Sequence, residues 1–214
     1  GMTVRKLDVP GYATFEGAGV YYGAAATEAA IYQDRHVYVI GGANSAGQAA
    51  VMFSKTSSKV TMVVRSAALG QKMSQYLVDQ ISAIDNIEVL TGTRVVAVDG
   101  STTVESIRLE NVATGAEEDR PASALFIFVG AVPHSSFLEG TLAMNERGFI
   151  YTGSDVTAFS SGWALSRDPF PLETSAPGVF AAGDVREGAV RRVASAVGEG
   201  SVAVTLVHRY LDTV

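Results

Sequence analysis

The hydrophobic pattern changes period most clearly between residues 36 and 84. His36-Val37-Tyr38-Val39-Ile40 is a β-branched and aromatic run that stops at Gly41-Gly42, which predicts a buried strand with a sharp exit. Beyond it, Ala46, Ala49, Ala50 and Phe53 recur at three- and four-residue spacing, so a helix is expected from Asn44 to Thr56 with Asn44 placed to cap it. Lys59 to Val64 reads as the next strand. Leu69 to Ile84 reads as the next helix, with Met73, Tyr76, Leu77 and Ile81 on one face. This β-α-β-α order implies right-handed crossovers and a parallel sheet.

The texture before and after this unit differs. Met2 to Gly19 is rich in Gly, Pro and polar residues without helical periodicity and reads as an extended connecting segment, and Thr27 to Gln33 as a short helix. Gly1, ahead of Met2, is set aside as an expression scar. From Ile87 to Val112 the runs are short and alternating (Ile87 to Leu90, Arg94 to Val98, Ser106 to Leu109), with turns at Thr91-Gly92 and Asp99-Gly100. They predict an antiparallel meander grafted on the sheet. Asn111 to Pro121 reads as a charged turn and Ala124 to Val129 as an apolar strand closing at Gly130. Pro133 to Pro177 is loop-rich, Gly178 to Ala182 reads as a short strand and Ala189 to Leu211 as a long helix.

Composition narrows the classes. A formal charge of -6 weighs against nucleic acid, which requires clustered Lys and Arg. No apolar run approaches the roughly 20 residues of a membrane span, and no secretory leader is read at the N-terminus, so a cytoplasmic location is expected. The chain contains no Cys, which excludes thiol redox chemistry and thiolate metal sites within it. His36, His134 and His208 share no ligand spacing, so no metal site is expected.

The strand exit carries the chemistry. Gly41-Gly42-Ala43-Asn44-Ser45-Ala46 stands in the strand–turn–helix context of a dinucleotide fingerprint, with Ala at the second and third glycine positions. Gly41 permits the tight turn. Ala43 puts a methyl where backbone normally approaches a pyrophosphate, whereas Ala46 suits close helix–strand packing. The helix N-terminus supplies free N–H groups and partial positive charge to an anion. At the end of the next strand stand Arg65 and Ser66 rather than a carboxylate, with Lys72 nearby, which favours the 2′-phosphate of NADPH over NADH. A generic α/β turn with a solvated strand-end Arg65 is the plain alternative.

The chain resembles the thioredoxin-reductase-like flavoproteins over nearly its whole length, especially the branch lacking redox cysteines and often fused to cyclic-nucleotide-binding or receiver domains. The resemblance rests on Leu7 to Gly11, Gly17 to Tyr22, Gly41 to Ala50, Val129 to Pro133 and, most specifically, Thr174-Ser175-Ala176-Pro177-Gly178-Val179-Phe180-Ala181-Ala182-Gly183-Asp184. It implies that Gly183 and Asp184 end a strand beside FAD, with the Asp carboxylate accepting from the ribityl chain. It further implies that Arg191, Arg192, Val193 and Ala194 lie at the flavin pyrimidine edge, and that Gly130 and Pro133 shape the nucleotide cleft.

Two departures from that family matter. The stretch that would carry two cysteines is Tyr22 to Glu28, where Glu28 is a weak candidate for an acid beside a flavin and otherwise an exposed helix-start carboxylate. The FAD-binding strand and glycine-rich loop with which a family member begins are missing. The expected fold is therefore α/β: a three-layer Rossmann-like nucleotide-binding domain with an antiparallel β-meander, plus the C-terminal part of a second, FAD-binding Rossmann-like domain. The divisions are 1–28 crossover segment, 29–132 NAD(P)H-binding domain and 133–214 C-terminal portion of the FAD domain. That last portion is expected to leave apolar surface uncovered, to be closed by the missing N-terminal half or by a second copy, with a homodimer expected. The resemblance implies an FAD-dependent NADPH oxidoreductase, inactive as this chain alone. A non-catalytic NAD(P)H-binding regulatory module, or a structural interaction domain, would also fit.

Overall fold

The computed structural model describes residues 1–23 and 26–214. In chain order the elements are β1 (Met2–Val4), β2 (Val20–Tyr22), α1 (Ala26–Ile31), β3 (His36–Ile40), α2 (Asn44–Phe53), β4 (Lys59–Val64), α3 (Gln75–Ser82) and β5 (Ile87–Thr91). There follow β6 (Thr93–Gly100), β7 (Val104–Asn111), β8 (Glu117–Pro121), β9 (Ala124–Ile127), β10 (Ala131–Pro133), α4 (Ser154–Phe159) and α5 (Val193–Leu211). Two compact units result: Lys6–Val129, and Gly1–Arg5 together with Gly130–Val214.

The first unit is an α/β sandwich of three layers. Among the described residues its parallel sheet runs β2-β9-β3-β4-β5, with Val39 level with Met62 on one side and Phe126 on the other. Val37 to Ile40 and Ala124 to Ile127 are buried along their whole length, as central parallel strands are when both faces are covered. On one face, Ala46, Ala49, Ala50 and Phe53 of α2 pack with Met73, Leu77 and Ile81 against Val39, Met62 and Phe126. On the other, Tyr38, Ile40, Leu125 and Ile127 meet Val95, Val98, Ile107 and Leu109 of the antiparallel sheet β6-β7-β8.

Several expectations are corrected here. Ile87 to Thr91 does not join the meander; it is the edge strand of the parallel sheet, with Val89 beside Met62. Its alternation reflects half-burial at an edge, a pattern that antiparallel strands share. The charged segment 117–121 is a strand, not a turn: β8 pairs with β7, and Arg108 joins Asp119 at 2.8 Å across it. Charges on both faces are tolerated because β8 is itself an edge. The single helix expected over 69–84 is a 3₁₀ turn (Leu69–Gln71) and then α3, broken where Ser74 is extended (φ -62°, ψ 142°). Tyr76 is exposed, off the buried face formed by Leu77 and Ile81. Met2 to Gly19 is not plain connection: β1 pairs with β10, and Tyr12 and Phe15 are buried in the meander-side core.

In the second unit the only regular pairing among the described residues is β1 with β10, and a small core gathers Leu142, Ile150 and Ala181. The strand expected over 178–182 is absent; Phe180 forms an isolated bridge with Glu173. That carboxylate organises the loop in its place. Glu173 is fully buried and accepts hydrogen bonds from Arg167 (2.7 and 2.9 Å), Phe170 N–H (2.8 Å) and Gly178 N–H (2.9 Å). Burial opposes its charge, yet these donors hold its pKa below the ordinary range. α5 starts at Val193 rather than Ala189, four residues later, after Gly188 at φ +70°. Along α5 only Leu206 is buried among the described residues; Val193, Val197, Val204 and Leu211 lie exposed on one face and Val202 on the opposite one, so apolar surface is uncovered as expected.

Candidate functional site

At the exit of β3, geometry dictates glycine twice. Gly41 has φ +146°, and a Cβ there would stand 2.6 Å from the carbonyl oxygen of Phe128; its N–H donates to Val63 O at 3.0 Å. On Gly42 a Cβ would meet Val64 Cγ1 at 2.7 Å. The turn is thus clamped between the ends of β9 and β4. Ala43 is extended (φ -109°, ψ 176°), so its backbone makes no demand for glycine, and its methyl is exposed. Ala46 is fully buried beneath the turn.

Asn44 does not cap α2: no side chain does. Its Oδ1 instead accepts the N–H of Ser74 at 2.8 Å, tying the start of α2 to the start of α3. The first-turn amides of α2 are left without intrahelical partners, as at any helix start, and Ser45 beside them is exposed. Gly47 was not singled out from the sequence, yet it decides this packing, since a Cβ there would lie 2.4 Å from Leu77 Cδ2. Its signal was a glycine inside a helical pattern, which usually marks close approach.

Beyond β4, Arg65 is exposed and makes no ion pair with a carboxylate among the described residues, whereas the Ser66 hydroxyl donates to Ala68 O at 3.0 Å. The backbone of Lys72 bridges that of Ala43, which brings it beside the turn. A groove of about 230 Å³, bounded by Ser45, Gln48, Ala49, Met52 and Phe128, opens along α2 from the same turn. A larger hollow of about 560 Å³ lies between β5 and the antiparallel sheet, but Glu117 and Glu118 line it and repel polyanions. Glu28 lies in the first turn of α1 and accepts from Thr27 at 2.9 Å. Ala24 and Ala25, in the stretch where cysteines would stand, lie outside the described residues.

Gly130 and Pro133 belong to the second unit: Gly130 accepts from Arg5 N–H at 3.0 Å, and Pro133 is buried opposite Met2. There Gly183 has φ +79°, and a Cβ on it would approach Ala196 Cβ to 3.2 Å. Asp184 follows in the turn. Arg191 and Arg192 are exposed just before α5, with Arg191 over the Phe149 ring at 4.9 Å, while Val193 and Ala194 open the helix. Sequence reasoning missed Glu199, whose carboxylate accepts the Gly183 N–H at 2.6 Å and the Arg186 Nε–H at 3.0 Å. It is the lone acid in an otherwise small and apolar helix, a signal present in the sequence.

The model of the family described as pyridine nucleotide-disulphide oxidoreductase matches residues 1–200. The chain is 31% identical over 214 residues to a thioredoxin reductase of Dictyostelium discoideum, and 31% identical over 209 residues to one of Treponema pallidum. These alignments cover 100% and 98% of this chain but 62% of each relative, so the chain spans about three-fifths of their length. Among solved structures, the thioredoxin reductase of Lactococcus lactis superposes with a TM-score of 0.77 at 25% identity, over 100% of this chain and 65% of that one. That of T. acidophilum gives 0.75 at 29% identity, over 100% and 64%. The clamped glycine turn, the parallel sheet and the match across both units together mean that this chain belongs to the pyridine nucleotide-disulphide oxidoreductase family.

Proposed function

We propose that the chain is the pyridine-nucleotide-binding part of a flavin-dependent oxidoreductase that prefers NADPH to NADH and passes electrons to an acceptor without a Cys pair of its own. The observation that carries the nucleotide reading is the Gly41-Gly42 turn: a Cβ on either residue would collide, and the turn delivers the free amides of a ten-residue helix to one point. Arg65, exposed at the end of β4 and free of a carboxylate partner among the described residues, supports the preference for a 2′-phosphate. In the second unit, Asp184 fits the ribityl side of FAD, since its carboxylate has no partner among the described residues, and the start of the nineteen-residue α5 fits the pyrimidine edge. Bound cofactors supply the hydride chemistry, and these residues bind and orient them.

The exposed valines of α5 support a covering partner, either a further FAD-binding half or a second copy in a homodimer, in a cytoplasmic protein. Among the described residues no helix is long and apolar enough to cross a membrane. Without that partner the chain is expected to bind FAD weakly and to be inactive. Calorimetric titration with NADPH and NADH tests the reading. Tighter binding of NADPH by at least about tenfold is expected, one charge-assisted contact being worth about 1.5 kcal/mol or more. Equal affinities sink the NADPH preference, and no binding of either sinks the nucleotide reading. A regulatory module is the second reading, favoured by a nucleotide unit whose two cores close without the other unit. It predicts nucleotide binding that FAD leaves unchanged.

A further inference from the structure

Among the described residues, every hydrogen bond of the Glu199 carboxylate goes to one turn. Oε2 accepts the Gly183 N–H at 2.6 Å and the Arg186 Nε–H at 3.0 Å, and Oε1 accepts from Arg186 Nη2 at 2.5 Å. Arg186 spends its remaining Nη1 on the hydroxyl of Thr152 at 2.8 Å, a buried residue. Inside the turn, Arg186 N–H donates to Gly183 O at 3.1 Å, while Ile150 N–H donates to Val185 O and Glu187 N–H to Ile150 O. Both ends of the turn are therefore fastened, to α5 by Glu199 and to residues 150–152 by Arg186. Between them stands Asp184, with no hydrogen bond or ion pair among the described residues. A fixed frame around an unpartnered carboxylate is how a binding group is preorganised.

We propose that Glu199 is a positioning residue of the flavin site: by gripping the Gly183 amide and the Arg186 guanidinium it sets the direction in which Asp184 presents its carboxylate. The inference rests on the flavin reading above. A two-point Arg–carboxylate pair fixes geometry as well as energy, which suits Glu199 and Arg186 to this task better than neutral partners. The role is local to the second unit, so it leaves the nucleotide turn at Gly41 untouched.

The test is FAD affinity, measured by fluorescence anisotropy on the whole chain, for the wild type, Glu199→Gln, Asp184→Ala and the double variant. Glu199→Gln is expected to weaken FAD by about tenfold, in the range typical for loss of a group that orients a ligand contact, and to leave NADPH affinity unchanged. In the Asp184→Ala background the same substitution should cost nothing further, because Glu199 acts through Asp184; a merely structural role gives additive losses. Arg186→Lys, which keeps the charge but loses the two-point pair, is a second variant with the same expected outcome should Glu199→Gln fail to fold. The wild type is expected to bind FAD weakly, so the titration runs to the highest soluble FAD concentration; no saturable binding there overturns the flavin reading of this chain, and this role with it. If the wild type binds but Glu199→Gln is unchanged or additive with Asp184→Ala, only the role of Glu199 is overturned.

Discussion

Gly178→Ala is the most direct probe of why the Pro177-Gly178-Val179 turn is built as it is. Gly178 has φ +79°, which costs an L residue roughly 1–2 kcal/mol. A Cβ there would also lie 2.5 Å from Tyr210 Cε1 and 2.6 Å from Cζ, an ångström or more inside ordinary carbon contact of about 3.5–4.0 Å. The Arg167 guanidinium lies over the ring at 5.7 Å and is itself bound to buried Glu173, which limits how far the ring can retreat on that side. Overpacking of this kind costs roughly 1–3 kcal/mol, so the total is about 2–5 kcal/mol. The single Trp of the chain, Trp163, donates to Arg167 O at 2.6 Å and reports on this cluster by its fluorescence. With a urea slope of about 1–3 kcal/mol/M, the midpoint of the Trp163 transition should fall by roughly 0.7–5 M. Repeating the substitution in a Tyr210→Ala background separates the causes, since the clash disappears there and the dihedral strain remains. A loss below about 0.5 kcal/mol would rule out both strain and clash at Gly178, and the same loss in both backgrounds would rule out the clash with Tyr210.

Other substitutions probe Arg65, the glycine turn, a strained surface residue and a half-buried carboxylate. Arg65→Ala should weaken NADPH by about tenfold while leaving NADH unchanged, and calorimetry showing parallel losses would count against a 2′-phosphate contact. Gly41→Ala, placed against Phe128 O, should abolish nucleotide binding or destabilise the first unit by at least about 2 kcal/mol; a variant that binds and melts like wild type contradicts the clamp. Asp34 is exposed at φ +55°, so Asp34→Gly should stabilise by about 0.5–1 kcal/mol in urea titrations, and a lower midpoint would show the strain to be absent. Glu88 loses solvation by burial, but hydrogen bonds from Lys59, Thr61 and Arg120 outweigh this and hold its pKa at about 2. Its stabilising contribution is full above the unfolded value of about 4.3 and disappears as pH falls from there toward 2. Acid titrations of wild type and Glu88→Gln should therefore converge over that window; a constant gap would contradict the pairing.

What the sequence determined by itself is the alternation of strand and helix and the place of the turn. Val37 to Ile40, Gly41, and the Ala46, Ala49, Ala50 and Phe53 stripe are local signals: period, bulk and a backbone that must bend sharply, and the structure places all of them as read. Tertiary structure decided whatever depends on a distant partner. Ile87 to Thr91 carries the same alternation whether it pairs with β4 or with β6, and only the crossover through α3 assigns it to the parallel sheet. Asn44 is a good cap by residue type, but the Ser74 amide, thirty residues away in sequence, claims its oxygen. Gly178 to Ala182 is apolar enough for a strand, yet among the described residues it pairs only through a short bridge, Thr174 N–H donating to Val179 O and Ala181 N–H to Leu172 O, while buried Glu173, held by Arg167, takes the Gly178 N–H. Glu199 was visible as a lone acid in an apolar helix. That it grips the turn holding Asp184 follows from α5 crossing Gly183 at close range, a proximity that no local pattern encodes.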